Sequence, residues 1–406
     1  MRILIHGINF SPELTGIGKY NTEMAEWLVN QGHEVVIITA PPYYPWWQVQ
    51  RPYRSWLYGV EKINKVKVYR CPLWVPAKPS GLKRVLHLGS FALSCFPVML
   101  RQIFWRPDVV LVVEPPLFCA PQAWLVARLS GGKAWLHVQD FEVDTAFELG
   151  ILRAQWLHIA VAKVESWLMR CFDRVSTISD SMFNRLEVKG VAKEKSVLFP
   201  NWVDAKDIFP LGRASTYRVE LGIGDDKCVA LYSGNMSKKQ GLEILLDAAK
   251  ALQSESGLLF VLCGEGPARE GLMQMGAGLR NVRWLPLQPI EKLNELLNLA
   301  DVHLLPQRAD VADLVMPSKL LGMLASGRPV LATAHLGTQL AKVVSSCGNV
   351  VEPGNAQGVA QGLLELLHAP KQREQLGAAA LQAAKAWDKD NVLRDFEKQL
   401  QVLCNK

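Results

Sequence analysis

Short apolar runs separated by helical stretches recur along the whole chain, and no other feature restricts its fold as tightly. In the first half RILIHGINF, EVVIITA, VKVYRCPLW, Asp108 to Val113 (DVVLVV), Lys133 to Val138 (KAWLHV) and Arg174 to Ile178 (RVSTI) read as strands. In the second half the same holds for CVALYS, LLFVLCG, VRWLPL, VHLLPQ, RPVLAT and GNVVEP. Between them lie helical stretches such as Gly18 to Asn30, closed by Gly32. Apolar runs alternating with helices predict a parallel sheet covered on both faces. A chain of 406 residues is too long for one ordinary core. The fold class is therefore α/β, with two doubly wound domains facing across a cleft. The switch falls near Pro200-Asn201-Trp202, and DAKDIFPLGRAS reads as a linker. Residues 1–203 and 204–387 form the two domains. Residues 388–406 carry a terminal helix, Asn391 to Cys404, that is free to pack back on the N-terminal domain.

Charge is distributed unevenly. Residues 1–200 hold 23 Lys/Arg against 16 Asp/Glu, a surplus of seven, whereas residues 201–406 hold 22 of each. Residues 41–106 alone hold 11 basic residues and one acid, Glu61. Among them stand Tyr43, Tyr44, Trp46, Trp47, Tyr53, Trp56, Tyr58, Trp74 and Trp105. Aromatics beside cations suit an anionic membrane interface. They also suit nucleic acid, or a loop packed on its own domain. The longest uncharged run, Val85 to Leu100, is 16 residues and contains Gly89 and Pro97. A membrane span needs about 20, so it reads as an interfacial or core segment. Met1-Arg2 leads straight into a strand, so no secretory leader is expected. The eight cysteines are never closer than 24 positions. They read as buried thiols of a reduced, cytosolic chain without a zinc site.

Several strand ends carry candidate chemistry, because ligands bind at the carboxyl ends of strands in open α/β sheets. In LYSGNMSKKQGLEILLDAAK a strand stops at Ser233-Gly234, and Asn235, Lys238 and Lys239 follow before a helix. Strand, glycine turn and helix N-terminus together make an anion site. Glu13-Leu-Thr-Gly16-Ile-Gly18 opens the first helix in the same way, although a plain turn serves equally. Cys263-Gly264-Glu265-Gly266-Pro267 is a second tight strand-to-helix turn. Met316-Pro317-Ser318-Lys319 precedes a helix that ends at Gly327. Ser318 can cap it, and Lys319 in the first turn opposes the macrodipole unless an anion is near. Trp135-Leu-His137-Val-Gln139-Asp140 ends a strand, with Glu142 and Asp144 behind it. His137 is either a reacting group or a core histidine, and Asp140 or Asp144 either acts or caps. Asp388-Lys-Asp390 matches a metal pattern but reads as a helix cap with Asp390 at the N-cap.

Taken in order, SPELTGIGKY, HVQD, SGNMSKKQGLE and PSKLLGMLASGRPVLA resemble the GT-B glycosyltransferases of family 4, and within them the bacterial exopolysaccharide enzymes of the colanic acid type. The resemblance spans essentially the whole chain. It implies two Rossmann-like domains and retaining transfer of a sugar from a nucleotide diphosphate sugar, GDP- or UDP-linked. The colanic acid likeness suggests GDP-fucose. No metal or cofactor is implied. The C-terminal domain would hold the nucleotide and the N-terminal domain a lipid-linked saccharide acceptor. The implied location is cytoplasmic, peripheral on the inner membrane face, with residues 41–106 on anionic lipid and no nucleic-acid partner. Carried over by position, His137 and Asp140 are the catalytic candidates, with His137 near the reacting carbon. Gly16 and Gly18 would approach the diphosphate. Gly234, Asn235, Gly264, Glu265, Leu287 and Gln288 would hold the nucleotide, and Ser318 and Lys319 the diphosphate. The chain departs from the family at Asn235 and Gln240, where basic residues are usual, and at Gly322, where a ribose-gripping Glu is usual. Lys238, Lys239 and Lys319 are the replacement cations. A GT-B-fold epimerase using the Asp140/Glu142/Asp144 carboxylates, and a non-catalytic nucleotide-sugar-binding subunit, are the alternatives.

Overall fold

The computed structural model describes residues 1–13, 16–78, 80–144, 155–308 and 317–405. They fall into two compact units, Met1–Pro200 with Leu393–Lys406, and Asn201–Val392. The first unit holds an eight-stranded sheet of β1 (Arg2–His6), β2 (Glu34–Thr39), β3 (Gly59–Ile63), β4 (Val66–Arg70), β5 (Val109–Glu114), β6 (Lys133–Val138), β7 (Arg174–Thr177) and β8 (Ser196–Leu198). Their spatial order is β3-β4-β2-β1-β5-β6-β7-β8. All pairings are parallel except β3 with β4.

The second unit holds a six-stranded, all-parallel sheet of β9 (Cys228–Ser233), β10 (Leu258–Cys263), β11 (Val282–Leu285), β12 (Val302–Leu305), β13 (Val330–Thr333) and β14 (Gly348–Val351). Its order is β11-β10-β9-β12-β13-β14. Strand β5 is buried at every residue, and so are β12 and β13, as expected where helices cover both faces. The order reverses between β1 and β5 in one sheet and between β9 and β12 in the other. Those two places are the topological switch points where such sheets bind ligands.

Three segments depart from the sequence reading. The stretch before β4 holds a strand that the apolar runs do not mark: Asn64 and Lys65, both at positive φ, turn β3 back on β4 as a hairpin. Glu61, Lys62 and Lys67 lie along this edge pair and mask its apolar signal. The supposed linker is bound into the second unit. The Phe209 N–H donates to Asn294 Oδ1 and the Leu211 N–H to Asn298 Oδ1, while Ile208 is buried. The terminal helix starts at Lys389, and Asp388 rather than Asp390 accepts from its first turn, at the Asn391 N–H. That helix spans the unit boundary. Its Phe396 stacks on Phe199 at 4.2 Å and meets Trp135 edge-on at 5.1 Å inside the first unit.

Candidate active site: glycine loops at the two switch points

In the second unit the chain leaves β9 at Gly234 and β10 at Gly264, side by side. Both glycines lie at positive φ. A Cβ on Gly264 would collide with the Gly234 carbonyl, so glycine is required for the two loops to touch. The Met236 N–H donates to the Glu265 carbonyl and the Ala268 N–H to the Met236 carbonyl, locking the loops together. Asn235 and Glu265 are exposed at the rim, Glu265 with Arg269 at 3.7 Å. Leu287 is exposed after β11. Gln288 is held there by the Tyr217 hydroxyl, which donates to its Oε1 at 2.8 Å.

Lys319 reaches these loops from the helix Ser318–Ala325. Its Nζ donates to Gln240 Oε1 at 2.9 Å and lies 4.6 Å from the Tyr232 ring centre. A Cβ on Gly234 would lie 3.5 Å from Lys319 Cδ. Burial pushes the Lys319 ammonium down to about 7. Ser318 is the first helical residue and exposed, and Pro317 stands at the cap position without a side-chain cap bond. The N-terminal N–H groups of that helix are thus not satisfied by a capping side chain. Met316 lies outside the described residues.

The expected strand–glycine–helix cradle takes another form. A 3-10 turn, Lys238–Gln240, and Gly241 intervene before the helix Glu243–Ala251, whose first turn carries Glu243. That acid already complements the macrodipole. The groups gathered at this strand end are therefore the Gly234 and Gly264 loops and Lys319. Lys238 is exposed, and the Lys239 side chain lies outside the described residues. Arg308, two residues beyond the Leu305–Pro306 end of the β12 run, crosses close to Gly241 and was missed in the sequence. A basic residue just past a strand's carboxyl end was the available signal.

In the first unit the loop after β1 is built around Glu13, 3% exposed. Its Oε1 accepts from the Tyr43 and Tyr44 N–H groups, each at 2.8 Å, and its Oε2 accepts from Asn9 Nδ2 at 2.7 Å. Burial raises its carboxyl above the usual range against these bonds and Arg70. Gly18 is buried because the Glu13 side chain leaves no room for a Cβ, and Gly16 is exposed at φ 60°. Leu14 and Thr15 lie outside the described residues. Glu13 was legible only as part of the glycine string, and its role as the loop's anchor was not.

His137 is 3% exposed. Its Nδ1 pairs with Ser176 Oγ and its Nε2 with Gln139 Nε2, both at 2.9 Å. Burial lowers its pKa to about 3, so the ring is neutral. Asp140 follows β6 in a half-exposed bend. The neighbouring acids have other partners. Glu142 Oε2 accepts from the Leu117 N–H, and Asp144 pairs with Arg185 at 2.8 Å and Lys189 at 3.2 Å. Glu114, at the end of β5, is fully buried with its carboxyl raised well above the usual range by burial.

Comparison with known proteins places this geometry. Residues 15–202 match a glycosyl transferase 4-like domain and residues 214–383 match glycosyl transferases group 1. The putative colanic acid biosynthesis glycosyl transferase WcaI of Escherichia coli K12 is 44% identical over 98% of both chains. The sucrose-phosphate synthase of Thermosynechococcus elongatus superposes with a TM-score of 0.78 over 99% of this chain and 98% of its own, at 17% identity. Anabaena HepE, solved in complex with UDP-glucose, gives 0.71 over 99% and 100% at 15% identity. These two likenesses show the GT-B fold. With both halves matched and a relative so similar end to end, the chain belongs to the glycosyltransferases that join a 4-like domain to a group 1 domain.

Proposed function

We propose that this glycosyltransferase moves a sugar from a nucleotide diphosphate sugar to a lipid-linked saccharide during exopolysaccharide assembly of the colanic acid type, with retention at the sugar carbon. The observation that carries the reading is the meeting of the Gly234 and Gly264 loops with Lys319 at the switch point of the second sheet. A departing nucleoside diphosphate gathers negative charge as the glycosidic bond breaks. Fixed N–H dipoles and a lysine stabilise it without reorganising. The reaction then needs no metal. Gln240 stands where a cation is usual and orients Lys319 instead. In the first unit Asp140 is the group that approaches the donor sugar. His137 is a positioning residue that holds the end of β6 through Gln139.

The acceptor side of the proposal rests on the helix Gly81–Arg101. It buries His87, Leu88, Phe91, Cys95 and Met99 and exposes Leu82, Val85, Leu86, Leu93 and Phe96. Lys83, Arg84, Arg51 and Arg54 are exposed in the same region, as are Trp46, Trp56 and Trp74. Among the described residues no helix is long and apolar enough to cross a membrane. An apolar face rimmed by cations suits peripheral docking on anionic lipid at the inner face.

Incubation with GDP- and UDP-sugars, GDP-fucose included, with and without a lipid-diphosphate saccharide, tests the reading. Acceptor-dependent release of nucleoside diphosphate, undiminished by chelator, is the expected result. Donor conversion without acceptor would instead identify an epimerase, and binding without turnover a non-catalytic subunit.

A further inference from the structure

Three metal-ligating side chains from three separate elements meet at the switch point of the first sheet. His6 ends β1, Cys95 lies in the helix Gly81–Arg101, and Cys119 ends a short 3-10 turn, Leu117–Cys119, after β5. All three are fully buried. His6 Nε2 lies 3.2 Å from Cys95 Sγ, and the three donor atoms fall within 4.8 Å of one another. Tetrahedral zinc, at about 2.3 Å from sulfur and about 2.0 Å from nitrogen, holds its ligands roughly 3.5–3.8 Å apart. We propose that His6, Cys95 and Cys119 bind one divalent zinc-class metal ion as a structural clamp of the first unit.

Charge selects the ion. Two thiolates and a neutral imidazole around a divalent cation sum to zero, which a site closed to water requires. A monovalent ion would leave one net negative charge buried. Binding releases two thiol protons to solvent. Gln122 supplies the fourth position. Its Nε2 lies 3.2 Å from Cys95 Sγ, and its Oε1 is buried without a hydrogen-bond partner. Turning the amide over gives up the Nε2 bond to the Ala92 carbonyl at 3.3 Å and presents that oxygen to the ion. A disulfide between Cys95 and Cys119 would account for the sulfurs alone. It would leave the imidazole and the amide oxygen unexplained.

The consequence is mechanical. The ion ties the helix bearing the exposed apolar face to the strand from which the Glu13 loop departs. The ligands are 89 and 24 positions apart in sequence, so no local spacing reveals them. The inference stands apart from the transfer reaction, because the site is closed and the proposed chemistry does not use it.

Metal-free full-length protein, kept reduced, is titrated with Co²⁺. The expected result is one cobalt per chain, with thiolate-to-cobalt charge-transfer absorption and tetrahedral d–d bands, both displaced by Zn²⁺. Cys95→Ala and Cys119→Ala should abolish the charge-transfer band, whereas Cys171→Ala should keep it. Zn²⁺ should also raise the Tm of the wild type by a few degrees. Wild-type protein that binds no cobalt, or binds it without thiolate absorption, overturns the proposal whether or not the variants fold. A band lost equally in Cys171→Ala overturns it too.

Discussion

With a donor diphosphate at Lys319, as proposed, its binding is a proton-uptake reaction. In the unliganded protein burial lowers its ammonium from 10.5 to about 7. A bound diphosphate favours the charged form and returns the pKa upward. Between pH 7 and the pKa of the complex, binding therefore takes up a proton, and affinity must fall as pH rises. The charged fraction of the free amine sets the size of the effect. It is about one half at pH 7, one eleventh at pH 8 and one hundredth at pH 9. Kd for GDP or UDP should then weaken about fivefold from pH 7 to 8 and about fiftyfold from pH 7 to 9. The ligand's terminal phosphate loses its last proton near pH ~6 and so contributes little in this window. Isothermal titration in two buffers of different ionisation enthalpy reads the uptake directly, near ~0.9 proton at pH 8. Lys319→Arg stays charged and should flatten the profile. Lys319→Ala should weaken diphosphate binding far more than nucleoside binding. A wild-type Kd that is level from pH 7 to 9, with no buffer-dependent heat, refutes the reasoning.

Gly264→Ala places a Cβ against the Gly234 carbonyl, so the thermal shift produced by GDP or UDP should vanish while the far-UV circular dichroism holds; an unchanged shift would mean the loops do not frame the ligand. Replacing Arg51, Arg54, Lys83 and Arg84 by Ser removes four exposed cations. At about 1 kcal/mol each near an anionic surface, binding to phosphatidylserine vesicles should drop on the order of 1,000-fold, and equal binding would return this region to packing alone. Phe396→Ala deletes the ring stacked on Phe199 and should destabilise the protein by about 3 kcal/mol or more in urea unfolding; a loss well under 1 kcal/mol would show that the helix end is not part of the first unit's core.

The alternation of strand and helix was legible because parallel strands are apolar on both faces. Lys133–Val138 and Cys228–Ser233 fall where the runs place them. The edge strands β3 and β8 were not legible, since an edge needs little apolar character and one is three residues long. At the site, the glycines announced the loops. What the sequence could not show is who fills the space beside them. Lys319 is drawn to Gln240 across 79 positions, and Glu13 gathers two amides from 30 residues away. His137 is a similar case: Ser176 on the neighbouring strand, 39 positions away, pairs with its ring. Such pairings arise from register between distant segments, and local spacing does not encode them.

The terminal helix has a consequence for how the protein is made. Trp135 and Phe199 receive Phe396 only after residues 201–392 have been synthesised. The second unit, Asn201–Val392, is by then complete. Domains normally finish in the order of synthesis. Here the one begun first is finished last, and a nascent chain halted at residue 392 carries a closed second unit beside a first whose aromatic core still lacks its lid.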